Sequence, residues 1–179
     1  MKNSLLALTA SIALALAGCT SLVPEAAPTP PPADESVYGG FDVDLPAEDE
    51  VVLTVTGART LEYTYGELLE RATLEITIVE PFVRDTQSFS GIRLAELFDE
   101  AGVRPEEQIE TIALNDYRYA DTARSWSDND AILAVRRDGD PIQMDAGGPI
   151  RIVFDSSSPA FDIVDAWNWS LRAIEVVHD

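Results

Sequence analysis

Cys19 is the only cysteine among the 179 residues, and it stands at the end of an apolar run that starts a few residues after Lys2. Its position divides the chain, and its solitude limits what the remainder can build. The residues before it have the three parts of a secretory signal: a positive amino terminus with Lys2, an apolar core from Leu5 to Leu16, and the small residues Ala17 and Gly18. That core is about a dozen residues long, too short for a bilayer span, which needs roughly 20. Beyond Cys19, Pro24, Pro28, Pro30, Pro31 and Pro32 sit among Ala, Thr, Ser and Glu, with few large apolar residues before Val37. This composition predicts an extended tether over residues 19–48, rising roughly 3 Å per residue. Folding is left to residues 49–179, about 130 in all, enough for a single domain with one core.

The sequence Leu16, Ala17, Gly18, Cys19 resembles the lipobox of bacterial lipoproteins, whose cysteine becomes the acylated first residue of the mature chain. The resemblance implies residues 1–18 as a signal peptide and Cys19 as a lipid anchor to the membrane, with the folded part extracytoplasmic. Thr20 is not the Asp that resembles an inner-membrane retention signal, which points to the outer membrane if the host has one.

The composition of the mature part excludes much chemistry. Without Lys2, eleven arginines face thirty-two acidic residues, a net charge of about −21, and no lysine is left. That field repels nucleic acid and anionic membrane surface. With no second cysteine and one histidine, His178, beside the carboxyl terminus, structural zinc, iron–sulfur and type-c haem sites are excluded, and a Ser-His-Asp site would need a frayed tail. Asp42, Asp44, Glu48, Asp49 and Glu50 form an acidic collar without the regular ligand spacing of a calcium loop, and are expected on a solvated surface.

Strands are predicted at Val51 to Thr56, Leu74 to Val79, Ile109 to Leu114, Ala131 to Val135, Ile150 to Phe154 and Leu171 to Val177. Thr64 and Glu67 form a capping-box pair at the head of a short helix through Arg71. Gly91 precedes Leu94, Leu97 and Phe98 at helical spacing, with Gly102 placed as a C-cap. Asp138, Gly139 and Asp140 predict a turn. The count gives an α+β domain, mostly β.

Read in order, Phe89-Ser90-Gly91-Ile92-Arg93-Leu94, Ala101-Gly102-Val103, Ala113-Leu114-Asn115-Asp116-Tyr117, Asp138-Gly139-Asp140-Pro141-Ile142 and Gly148-Pro149-Ile150-Arg151-Ile152-Val153 resemble the molybdopterin-binding domain of the sulfite oxidase family. The resemblance implies that fold over most of residues 51–179, with molybdopterin as the cofactor of catalytic members. It also exposes departures. Catalytic members bind molybdenum through a cysteine thiolate near the region corresponding to Leu74 to Val79, where this chain has none. The family's lysine-bearing stretch that holds the pterin phosphate is represented by the loop from Asp155 to Asp165 and then Trp167, Asn168 and Trp169, with both lysines missing. Arg118, Arg124 and Arg151 are the cations near the resembling motifs.

The candidate cofactor or ligand residues are Asn115, Asp116, Tyr117, Arg151 and Trp169, and each has a plain structural alternative. Asp116 either lines a pocket at a strand end or caps its own turn. Arg151 alternates with Ile150 and Ile152, so it is expected to face away from the core, as a site cation or in a surface ion pair. Trp167 and Trp169, two apart on a closing strand, either stack a flat ligand or cover the core. Tyr117 and Tyr119 share that ambiguity, and Asp128 with Asp130 reads as a polar loop or a metal pair. The expectation is a domain with no bound cofactor and no molybdenum redox chemistry, which binds a small molecule or an envelope protein. The alternatives are a molybdopterin-dependent oxidoreductase with another metal ligand, and a purely structural envelope module.

Overall fold

The structure is a computed structural model and describes residues 44–177. The signal-like segment, Cys19, most of the Pro-rich tether, Asp42 and His178 lie outside the described residues. The described part of the acidic collar, Asp44 and Glu48 to Glu50, is exposed, and its carbonyls at Glu48 and Glu50 accept from Gly66 and Tyr65.

β1 (Val51–Thr56) alternates Leu53 and Val55 into the interior and turns back into β2 (Thr60–Thr64). α1 (Tyr65–Arg71) starts at Thr64, whose hydroxyl accepts from the Glu67 N–H while the Glu67 carboxylate accepts from the Thr64 N–H. β3 (Leu74–Val79) and β4 (Thr86–Arg93) follow, then α2 (Leu94–Ala101), which ends at Gly102 in the left-handed conformation at φ 70°. β5 (Gln108–Ala113), β6 (Arg118–Thr122), α3 (Ala123–Asp128), β7 (Ile132–Arg137), the two-residue β8 (Asp140–Pro141), β9 (Arg151–Val153) and β10 (Leu171–Val176) complete the order. Asp138 and Gly139, both at positive φ, make the two-residue turn between β7 and β8.

Two sheets result. The first has the order β2-β1-β10-β5-β6, with β1 and β10 parallel and the other pairs antiparallel. The second has the order β3-β4-β7-β8, and β9 pairs with β7 through Ile132, Leu133 and Ala134. One apolar cluster joins both: Leu53, Val55, Ile109 and Ile174 from the first, Phe89, Ile92, Leu133 and Ile152 from the second, and Leu68, Leu94, Leu97 and Phe98 from the helices. Each such side chain contributes about 1.5–3 kcal/mol by leaving water.

The expected α+β, mostly β fold is observed, and the six predicted strands and two predicted helices are present within a residue or two. β2, β4, β6 and α3 were not predicted. β4 (TQSFSGIR) carries Ser, Gly and Gln, which are poor strand formers in isolation, and it is extended because it has neighbours on both edges, β3 and β7. Gly91 is therefore a strand residue rather than the lead of a helix. A Cβ there would lie 2.1 Å from the Leu133 carbonyl oxygen, so only glycine lets β7 approach.

Candidate functional site

The β5–β6 turn carries Asn115, Asp116 and Tyr117. The Tyr117 N–H donates to Asn115 Oδ1 (3.1 Å) and the Asp116 N–H to the Ala113 carbonyl (3.1 Å). Asn115, not Asp116, therefore caps the turn, while Asp116 sits at φ 64° and accepts from Arg172 Nη2 at 2.8 Å. The Tyr117 hydroxyl reaches across to donate to the Asp165 carbonyl (3.0 Å), tying this turn to the short 3-10 turn Val164–Ala166. Burial, and then the nearby Asp165 carboxylate, push the Tyr117 hydroxyl above its ordinary range. Tyr119 is pushed up by burial, Asp121 and Asp165.

Arg151 is not on the surface. It is 0% exposed, and its Nη2 donates to Oε1 of Glu80, also 0% exposed, at 2.9 Å. Alternation fails here because β9 is covered on both faces. The Ile152 N–H donates to the Asn168 carbonyl on one flank, and the loop after β3 folds over Arg151. Glu80, which sequence reasoning missed, organises that loop: its other carboxylate oxygen accepts the N–H groups of Phe82 (2.7 Å) and Val83 (2.8 Å). The only local signal was a carboxylate standing between the end of β3 and Pro81; its partner lies 71 positions away.

Trp167 and Trp169 lie before β10 rather than on it, in a segment shaped by the 3-10 turn. Trp167 is core cover, edge-on to Phe154 (5.7 Å) and Phe161 (5.4 Å), with its indole N–H donating to the Phe161 carbonyl. Trp169 lies against Arg151, whose guanidinium carbon is 4.2 Å from the ring centroid. Phe82 meets both indoles edge to face, at 6.1 and 4.8 Å. Gly147, at φ 83°, packs so closely that a Cβ would lie 3.0 Å from the Trp169 ring.

These segments bound an open cleft of about 350 Å³, lined by Phe82, Asn115, Tyr117, Asp165, Trp167, Asn168 and Trp169 among others. Of the predicted residues, Asn115, Tyr117 and Trp169 meet there. Arg151 lies behind Trp169, and Asp116 is held aside by Arg172. Arg118 pairs with Glu110, and Arg124 is exposed on α3. Asp128 ends α3, and Asp130 pairs with Arg93 at 3.5 Å. Among the described residues, no three His, Cys, Asp or Glu side chains group to hold a metal ion.

Residues 42–159 match the family described as the oxidoreductase molybdopterin binding domain, and the chain belongs to that family. No protein of curated function matches it. Its fold is similar to that of the sulfane dehydrogenase SoxCD from Paracoccus pantotrophus, with a TM-score of 0.56 at 17% identity, over 76% of this chain and 40% of that one. The chain thus spans well under half of the length of that enzyme.

Proposed function

We propose that this member of the molybdopterin-binding domain family is a lipid-anchored, extracytoplasmic binding module that performs no molybdenum redox chemistry and takes a small ligand in the cleft beside Trp169. The observation that carries the reading is the buried Arg151–Glu80 pair. A pterin phosphate needs exposed cations or free backbone donors. Arg151 is fully buried and engaged by Glu80, with Trp169 stacked over its guanidinium.

Three backbone donors nearby, the N–H groups of Phe82, Val83 and Ser157, are also committed to the chain's own carboxylates. Glu80 accepts from Phe82 and Val83, and Asp155, at the start of the loop that corresponds to the family's phosphate stretch, accepts from the Ser157 N–H and hydroxyl at 2.8 and 2.7 Å. Those Ser157 bonds hold the Asp155 carboxyl below its ordinary range. The chain's own carboxylates take donors that an external anion would use, and the sole cysteine is the proposed lipid anchor at position 19. The residues present do not fit the cofactor.

The lipobox-like Leu16-Ala17-Gly18-Cys19 sequence supports an anchored envelope location, and the charge of about −21 supports solubility at the end of a tether. Elemental and pterin analysis of the full chain, purified from a host that makes the molybdenum cofactor, tests the reading. Background molybdenum and pterin are expected; near-stoichiometric amounts of both overturn it. Mass analysis of the membrane-extracted chain tests the anchor: Cys19 carrying two or more acyl chains is expected, and an unmodified cysteine removes that part of the proposal.

A further inference from the structure

Aromatic surface and negative potential coincide in the cleft. Phe82 and Tyr117, aromatic residues of the lining, are 43% and 42% exposed, and ring faces attract cations. Asp165 is exposed on the same wall, and its carboxylate contributes to raising both Tyr117 and Tyr119.

Asn168 adds a fixed dipole. It is 0% exposed and forms part of the lining. The Thr111 hydroxyl donates to the Tyr119 carbonyl (3.1 Å), so it meets Asn168 as an acceptor. That orients the amide, with Nδ2 donating to the Thr111 carbonyl (3.0 Å) and Oγ1 (3.1 Å). Asn168 Oδ1 is left covered and without a hydrogen-bond partner, the negative end of an uncompensated dipole within the wall. The arginines nearby do not reverse the sign: Arg172 is bound to Asp116, and Arg151 is paired with Glu80 behind Trp169.

We infer that the cleft selects a small organic cation, a protonated primary amine carried on a flat apolar group, over neutral and anionic molecules of the same shape. The flat group lies against Phe82 and Tyr117, and the ammonium is drawn to Asp165 and the Asn168 dipole. This rests on the reading of the chain as a binding module and names the class of ligand it takes.

Titration of the detergent-solubilised full chain with benzylammonium, benzyl alcohol and benzoate at matched ionic strength, followed by tryptophan emission, tests it, because Trp167 and Trp169 line the cleft. Benzylammonium is expected to give a saturable change, with benzoate about tenfold weaker or more. Asp165→Asn should weaken the amine about two- to fivefold and leave benzyl alcohol unaffected, while Phe82→Ala weakens both. Equal or tighter binding of benzoate or benzyl alcohol, an amine affinity unmoved by Asp165→Asn, or no binding of any probe overturns the inference. Benzoate preference in molybdenum-free protein refutes the ligand class alone; stoichiometric cofactor refutes the binding-module reading itself.

Discussion

Replacing Arg151 with methionine removes the charged partner of a carboxylate that has no access to water. Glu80 is held by three contacts: Arg151 Nη2 at 2.9 Å and the N–H groups of Phe82 and Val83 at 2.7 and 2.8 Å. At an effective dielectric of about 20, opposite charges about 4 Å apart attract by about 4 kcal/mol. Burying each ion costs several kcal/mol, so the intact pair is close to neutral for stability. Removing one member leaves that cost uncompensated, typically about 3–5 kcal/mol. Arg151→Met leaves Glu80 its two backbone bonds and should fall near the lower end, about 3 kcal/mol. Glu80→Gln takes the carboxylate away from a buried guanidinium and weakens the anchoring of its own loop, so it should cost about 4–5 kcal/mol. The double variant should cost about 3 kcal/mol less than the sum of the two. The assay is urea unfolding of all four proteins by tryptophan emission. Because the pair is fully buried, the coupling should persist in high salt, where an exposed pair would be screened. A cost below about 1 kcal/mol for Arg151→Met, or additive single costs, refutes the reasoning.

Three further outcomes follow from local geometry. Gly91→Ala places a Cβ 2.1 Å from the Leu133 carbonyl oxygen and 2.8 Å from Ile132 Cγ2, so β4 and β7 must separate; a loss of about 3 kcal/mol or more by thermal denaturation is expected, and a wild-type melting temperature contradicts it. Tyr63, pushed up to about 12 by burial and then by its hydrogen bond to Glu100, keeps its proton longer in the folded than in the unfolded chain. Its contribution, roughly 2 kcal/mol, is therefore full below pH 10 and lost as pH rises toward about 12, which tyrosinate absorbance set beside an alkaline unfolding curve will show. Thr64→Ala removes the capping bond to the Glu67 N–H and should cost about 1 kcal/mol in the same urea assay, while Thr64→Ser should cost much less.

What could be read from the sequence is what depends on residues close together in the chain. The Thr64–Glu67 capping box and the Gly102 C-cap span a turn of helix each, and the alternation of Val51 to Thr56 needs only its own period; all three occur as expected. The order of the motifs was enough for the fold family. β2, β4 and β6 escaped notice because their residues are largely polar; β2 and β6 are strands through hairpin ladders to β1 and β5, and β4 through its ladders to β3 and to the distant β7.

The site divides along the same line. The sequence alone shows that the sole cysteine lies at position 19 and that no lysine follows it. Alternation placed Arg151 opposite the core but could not say whether that face meets water, because burial of a face depends on what packs over it. Only the tertiary structure brought Glu80 across 71 positions to neutralise it, set Trp169 against its guanidinium, and gathered Phe82, Tyr117, Asp165 and Asn168 from three separate loops into one cleft. Local chemistry is written in adjacent residues, whereas solvent exposure and partner choice are properties of the packed chain.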